Sequence, residues 1–187
     1  MWKMLAILAG IAGCGQSFVE FPVELGVDPS FTAEEHCLLA EAARRWEEAG
    51  PGLIEINLRP WDGEGAAVLR APEGVDKASS SALGFCSADG IPIGPDARLA
   101  GGDIWLFTGR LERFSARESR DYATDFTIAA MHELGHHLGL PHTHGVMRGA
   151  PRGIAEAPCV NQSDLTWLCA IYGCSYVAPV CEPLTAC

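Results

Sequence analysis

Basic residues are scarce in this chain of 187 residues, and lysine is almost absent. Lysine and arginine together number 13 against 24 aspartates and glutamates, the net charge is -11, and the lysines are Lys3 and Lys77. Because an acidic surface repels phosphate backbones, this composition argues against a nucleic-acid partner. The acidity otherwise indicates only that the protein stays dissolved.

The chain also lacks internal repeats and an apolar run long enough to span a membrane. A spanning helix needs about 20 apolar residues, whereas the apolar run that follows Lys3 covers only residues 4–11. A short apolar run behind a positive charge is typical of a secretory signal. The remaining length predicts one domain, and an apolar fraction of 48% is enough for a packed core.

The run ends in Ile-Ala-Gly-Cys at residues 11–14, which resembles the bacterial lipobox. The resemblance implies a lipoprotein signal peptide at residues 1–13 and membrane attachment through acyl chains on Cys14. Several acyl chains would anchor the protein firmly, since a single chain binds only marginally. Gly15 stands where an aspartate would favour the inner membrane, so we expect an outer-membrane lipoprotein of the bacterial envelope. The alternative is an ordinary signal peptide and a secreted protein.

The eight cysteines show no C-x2-C spacing, which argues against a structural zinc cluster. Eight cysteines instead fit disulfide bonds formed in an oxidising compartment. If Cys14 is acylated, seven remain and at least one thiol is unpaired within the chain. Five of the seven follow residue 158, which predicts a stapled, cysteine-rich tail at residues 174–187. The spacing does not determine which pairs form.

Apolar periodicity predicts the main elements of the domain. Helices are expected at residues 33–49, 126–138 and 163–172, the first capped by Thr32 and the second by Thr124 or Asp125. Strands are expected at residues 53–58, 66–70, 83–86 and 103–107. Residues 14–30 are predicted to be a tether, residues 110–120 a polar segment, and residues 31–173 the folded domain.

The most informative segment reads His-Glu-Leu-Gly-His-His-Leu-Gly-Leu-Pro-His at residues 132–142. Residues four apart share one face of a helix, so His132 and His136 can bind one metal ion. Gly139 has no Cβ and can end the helix in a sharp turn that brings His142 back as a third ligand. Three neutral imidazoles with one open position make a catalytic zinc site.

Glu133 follows the first predicted ligand and is the candidate catalytic residue. Zinc lowers the pKa of a bound water to about 7, and Glu133 is placed to accept its proton as a general base and pass it to a leaving amine. The second hypothesis is a non-catalytic envelope lipoprotein that binds only zinc or a partner. Such a protein could lose Glu133 and keep its metal, so the presence of Glu133 favours the enzyme. His144 is an alternative third ligand.

This segment resembles the HExxHxxGxxH signature of the metzincin zinc endopeptidases, and its flanks are similar to the matrixin branch. Met147, in Gly-Val-Met, resembles the family's Met-turn beneath the metal. The resemblance covers residues 31–173, most closely residues 126–147. It implies an α+β, matrixin-like metzincin fold, with a twisted, mixed, mainly parallel sheet, three helices and an active-site helix that ends at Gly139. It also implies peptide-bond hydrolysis, and we expect a monomer.

In that family, a protein or peptide substrate adds to the edge of the sheet as an extra strand. The substrate edge strand is expected at Gly102, Asp103, Ile104 and Trp105. Residues 151–153 lack the family's Pro-x-Tyr wall, so the specificity pocket is not predicted. A calcium site at Asp89, Asp96 and Asp103 is the alternative to ordinary solvated carboxylates.

Overall fold

A computed structural model describes residues 19–72, 84–87, 102–148, 155, 157–174, 179–181, 184 and 187. The strands are β1 Val23–Val27, β2 Ile56–Pro60, β3 Ala67–Arg70, β4 Gly84–Ser87 and β5 Asp103–Leu106. The helices are α1 Ala33–Ala49, α2 Thr108–Glu118, α3 Tyr122–His137 and α4 Gln162–Tyr172. The predicted signal peptide, Cys14, Asp89, Asp96 and residues 151–153 lie outside the described residues.

The five strands form one sheet in the order β2-β1-β3-β5-β4. Strands β2, β1, β3 and β5 run parallel to one another, and β4 pairs antiparallel with β5. The prediction of a mixed, mainly parallel sheet is therefore confirmed. The parallel strands require helical or loop crossovers between them, which is why α1 stands between β1 and β2 in the chain.

The predicted tether is wrong for residues 23–27, because β1 lies inside the sheet between β2 and β3. Val23, Leu25 and Val27 are buried at every second position, as expected for a strand. Gly26 lies against Trp61, whose Cδ1 would be 2.4 Å from a Cβ built at this position. The folded domain therefore begins well before residue 31.

The predicted substrate edge strand is also misplaced. β5 lies between β3 and β4, so both of its sides are paired, and β4 is the outer strand at this side of the described sheet. The carboxylate of Asp103, at the start of β5, accepts a hydrogen bond from the backbone nitrogen of Ala67 at 3.0 Å. The predicted segment therefore belongs to an interior strand. Gly102 directly precedes β5, and β5 contains Asp103, Ile104 and Trp105.

The described residues contain four helices rather than three, because the predicted polar segment forms α2. Leu111 and Ser115 lie one turn apart on α2 and are both buried. The Ser115 hydroxyl contacts the buried carboxylate of Asp125 on α3 at 2.7 Å. Helix α2 contains few apolar residues, and this polar contact helps to join it to α3.

Helices α1 and α3 pack against each other and, together with the sheet, bury the core. Thr32 caps α1 as predicted, and Glu35 completes a capping box. Trp46 of α1 is fully buried, and its indole nitrogen donates to the carbonyl oxygen of Met131 on α3 at 2.9 Å. The two helices are consequently joined by a directional bond as well as by apolar contact.

Three disulfides join the described cysteines: Cys37–Cys187, Cys159–Cys181 and Cys169–Cys174. They confirm the prediction of a stapled C-terminal region, and they are typical of extracellular or envelope proteins. Val160 and Val180 add an isolated antiparallel bridge to the same region. None of the helices in the described ranges is long and apolar enough to cross a membrane.

Candidate metal centre

Helix α3 carries His132 and His136 one turn apart. The helix begins earlier than predicted, at Tyr122, because the Asp121 side chain accepts a hydrogen bond from the backbone nitrogen of Thr124. It ends at His137, one residue before the predicted last helical residue, and Leu138 is its C-cap, so Gly139 follows the helix end as predicted. Gly139 has a φ of 84°, in the left-handed region that favours glycine, and reverses the chain toward His142.

The three predicted ligands come together at this turn. Nε2 of His136 lies 3.0 Å from Nε2 of His132 and 3.1 Å from Nε2 of His142. His132 and His136 are partly buried and His142 is exposed, so the group opens to solvent on the side of His142. Within the described ranges, the group of candidate metal ligands comprises these three residues and not His144, which is exposed nearby.

The Nδ1 atoms of two of these histidines fix their protonation. Nδ1 of His132 lies 2.9 Å from the carbonyl oxygen of Val146, and Nδ1 of His136 lies 2.9 Å from that of Leu140. A carbonyl oxygen only accepts, so each Nδ1 carries a hydrogen, and in the neutral ring each Nε2 presents a lone pair. Burial also lowers the pKa of His132 to about 4, which keeps it neutral at pH 7.

This donor set fits zinc. Neutral imidazole nitrogens are preferred zinc ligands, and carbonyl acceptors on the opposite ring nitrogens are the usual support for such ligands. Lone pairs that face one another across about 3 Å repel each other unless a cation lies among them. The site residues therefore have the chemistry of a metal centre.

A buried carboxylate that was not predicted holds the loop after His142. Asp164, in the first turn of α4, is fully buried and accepts from the Thr143 hydroxyl at 2.5 Å and from the Val146 nitrogen at 3.2 Å. The carbonyl of Val146 is in turn the acceptor for His132. One side chain thus fixes both the residue after His142 and the group that orients His132.

Met147 lies against α3 at Gly135, the residue before His136. It is fully buried, and a Cβ built on Gly135 would come within 2.2 Å of its sulfur. The same Cβ would lie 3.0 Å from Cζ2 of Trp46. Gly135 is therefore required for the close approach of Met147 and α1 to the helix that carries the histidines.

The two residues beside the helical ligands are both buried. Glu133 is 5% exposed and follows His132 on α3. His137 is 3% exposed and follows His136. Nδ1 of His137 lies 2.9 Å from the carbonyl oxygen of Gly102, and burial lowers the pKa of this histidine as well.

No family model matches the chain, and no curated protein matches it. Among solved structures, the chain is similar to high choriolytic enzyme 1, a hatching enzyme zinc-protease from the medaka fish Oryzias latipes. The TM-score is 0.35 and the identity 12%, over 69% of this chain and 50% of that chain, so the match spans half the length of that protein. A likeness this remote does not define a family. What the structure establishes is a mixed α/β fold with three histidines that could hold zinc.

Proposed function

We propose that this protein is a zinc-dependent endopeptidase whose metal is held by His132, His136 and His142. The supporting observation is the convergence of three Nε2 atoms, two of them fixed as lone-pair donors by backbone carbonyls. A site with three protein ligands that opens to solvent is the arrangement of catalytic zinc, whereas structural zinc is enclosed by four protein ligands.

Glu133 carries out both proton transfers in this proposal. A zinc ion held there supplies a Lewis acid for the scissile carbonyl and acidifies water. The Glu133 carboxylate takes a proton from the attacking water as the new carbon–oxygen bond forms. Protonated Glu133 then delivers that proton to the amine nitrogen as the carbon–nitrogen bond breaks. The buried position of Glu133 strengthens its electrostatic interactions during both transfers.

The substrate class follows from the edge of the sheet. Among the described strands, β4 pairs only with β5, so the other side of its backbone can accept an extended peptide as a further strand. Main-chain hydrogen bonds of this kind are independent of side-chain identity. We therefore infer that the substrates are extended segments of proteins or peptides.

The compartment is part of the same proposal. The three disulfides are compatible with a protein that folds and acts in an oxidising compartment outside the cytoplasm. Acylation at Cys14 would attach the enzyme to the bacterial outer membrane, and cleavage of an ordinary signal would release it. Mass spectrometry of the mature N-terminus distinguishes the two, since acyl chains add mass to a fragment that begins at Cys14.

The decisive experiment substitutes Glu133. Glu133→Gln should keep about one zinc ion per chain and lose cleavage of unstructured peptides by about 100-fold or more, as expected when a general base is removed. Glu118→Gln, on the exposed end of α2, is the matched control and should cleave normally. If wild type and Glu133→Gln both bind zinc and are equally inert across a broad peptide library, the protein is the non-catalytic zinc-binding alternative.

A further inference from the structure

We propose that His137 is a positioning residue that sets the place of the substrate-binding edge relative to the metal centre. The proposal rests on the proposed function. His137 is the last residue of α3 and directly follows His136, yet it is not part of the histidine group. Successive helix residues point about 100° apart, so its ring is directed to a different neighbour from that of His136.

That neighbour is the start of β5. Nδ1 of His137 lies 2.9 Å from the carbonyl oxygen of Gly102, and the ring is almost fully buried. Because the carbonyl can only accept, Nδ1 is the donor. A buried bond of this kind is costly to leave unmade, since the carbonyl would lose its partner without gaining water.

The backbone at Gly102 is a turn that this bond holds in place. Gly102 has a φ of 87°, in the left-handed region, and the next residue begins β5. The next residue, Asp103, is held by a second bond, because its carboxylate accepts from the backbone nitrogen of Ala67 on β3. The entry of β5 into the sheet is therefore fixed at two consecutive residues, to α3 through His137 and to β3 through Asp103.

A displacement of the start of β5 would also displace the outer strand β4, which pairs with it. Ser87 of β4 pairs with Asp103, and Cys86 pairs with Ile104, so β4 is in register with the segment that His137 holds. A peptide added to β4 takes its position from β4. An error of about 1 Å between the scissile bond and the catalytic groups can cost about 100-fold in rate, so a direct link from the ligand helix to β5 has a functional use.

The test compares two substitutions on two substrates. His137→Leu should raise KM by about 5- to 10-fold for a peptide long enough to pair along β4, the value expected if the displaced strand makes one main-chain hydrogen bond fewer to the peptide. It should leave kcat/KM for a short peptide, which does not reach β4, within about 2-fold. His137→Asn carries a side-chain N–H close to the position of Nδ1 and should recover the long-peptide KM. Zinc affinity should be the same in all three proteins.

A second measurement does not depend on activity. Amide hydrogen exchange at residues 103–106 and 84–87 should be faster in His137→Leu than in wild type, and exchange in β1 and β2 should be unchanged. His36→Leu, at a partly buried histidine on α1 far along the chain from this contact, is the matched control and should leave both readouts unchanged.

Equal losses on long and short peptides, or unchanged exchange in β4 and β5, would overturn the role of His137 and leave the peptidase intact. A wild-type protein that binds zinc and cleaves neither peptide would instead overturn the proposed function, and the positioning role with it.

Discussion

At the scale of single residues, the histidines near the end of α3 differ in what their Nδ1 atoms contact. His132 and His136 donate to loop carbonyls and turn their Nε2 atoms toward a common point. His137 donates to the carbonyl of Gly102, directly before β5, and is directed elsewhere. Three histidines near the end of one helix thus face different parts of the molecule because their backbone acceptors differ.

Loss of His142 should weaken zinc binding far more than loss of His144. His142→Ala removes one of the three converging nitrogens, and we expect a loss in affinity of about 100-fold or more, since even a lost supporting partner typically costs 10- to 100-fold. His144→Ala, exposed and outside the group, should bind zinc nearly as wild type does. Competition titration against a chromophoric chelator measures both, and the reverse order would show that the ligand set is wrong.

The three histidines could be proposed from sequence because the helical period and Gly139 act locally. The spacing of four residues places His132 and His136 on one face, and a turn residue follows within three positions. Asp164 and His137 could not be assigned in this way. Their partners, Thr143 and Gly102, are 21 and 35 residues away, and no local period links them.

At the scale of elements, the first turn of α4 supports the loop that follows His142. Asp164→Ala would leave the Thr143 hydroxyl and the Val146 N–H without their buried acceptor. We expect the free energy of unfolding to fall by about 1–3 kcal/mol and zinc affinity to fall by about 10- to 100-fold. Urea denaturation of the metal-free protein and a zinc titration separate the two effects.

Thr166→Ala is the control for this experiment, because Thr166 lies on the exposed side of the same helix and its hydroxyl donates to the carbonyl oxygen of Gln162 in that helix. It should change neither measurement appreciably. A fall in stability with unchanged zinc affinity in Asp164→Ala would show that the α4 contact supports the fold and not the site.

The elements that were not predicted have weak or non-local signals. β1 shows the alternation Val23, Leu25 and Val27, but it is short, follows Pro22, and finds its partners β2 and β3 only after α1. α2 has one fully buried apolar residue, Leu111, and no side-chain cap at Phe107. By contrast, α1 has both a capping box and an apolar stripe, and its predicted bounds are confirmed.

At the scale of the whole molecule, strand order decides which segment is the edge. A run such as Asp103–Leu106 is recognisable as a strand from its composition, but its position between β3 and β4 depends on contacts with residues far along the chain. Because a strand of four residues carries no information about which strands it pairs with, the prediction that β5 is an edge strand could be corrected only from the structure.

The disulfides should differ in their contributions to stability, because they close loops of very different length. Replacing both Cys37 and Cys187 by serine opens a loop of 150 residues and should lower the free energy of unfolding by roughly 5 kcal/mol in the chain-entropy account. Replacing both Cys169 and Cys174, which are 5 residues apart, should cost roughly 2 kcal/mol. Urea unfolding of the two double variants checks the order, and equal losses would contradict the chain-entropy account for this protein.

The close packing of Met147 on Gly135 also limits the oxidation of the Met147 sulfur. Met131 and Met147 are both fully buried, and the space beside the Met147 sulfur is already filled by α3. A sulfoxide oxygen would have no room on that side, and because the side chain is fully buried, we expect peroxide to reach this thioether mainly when α3 separates from the loop that carries Met147. Sulfoxide at Met147 would therefore record past separations of α3 from this loop.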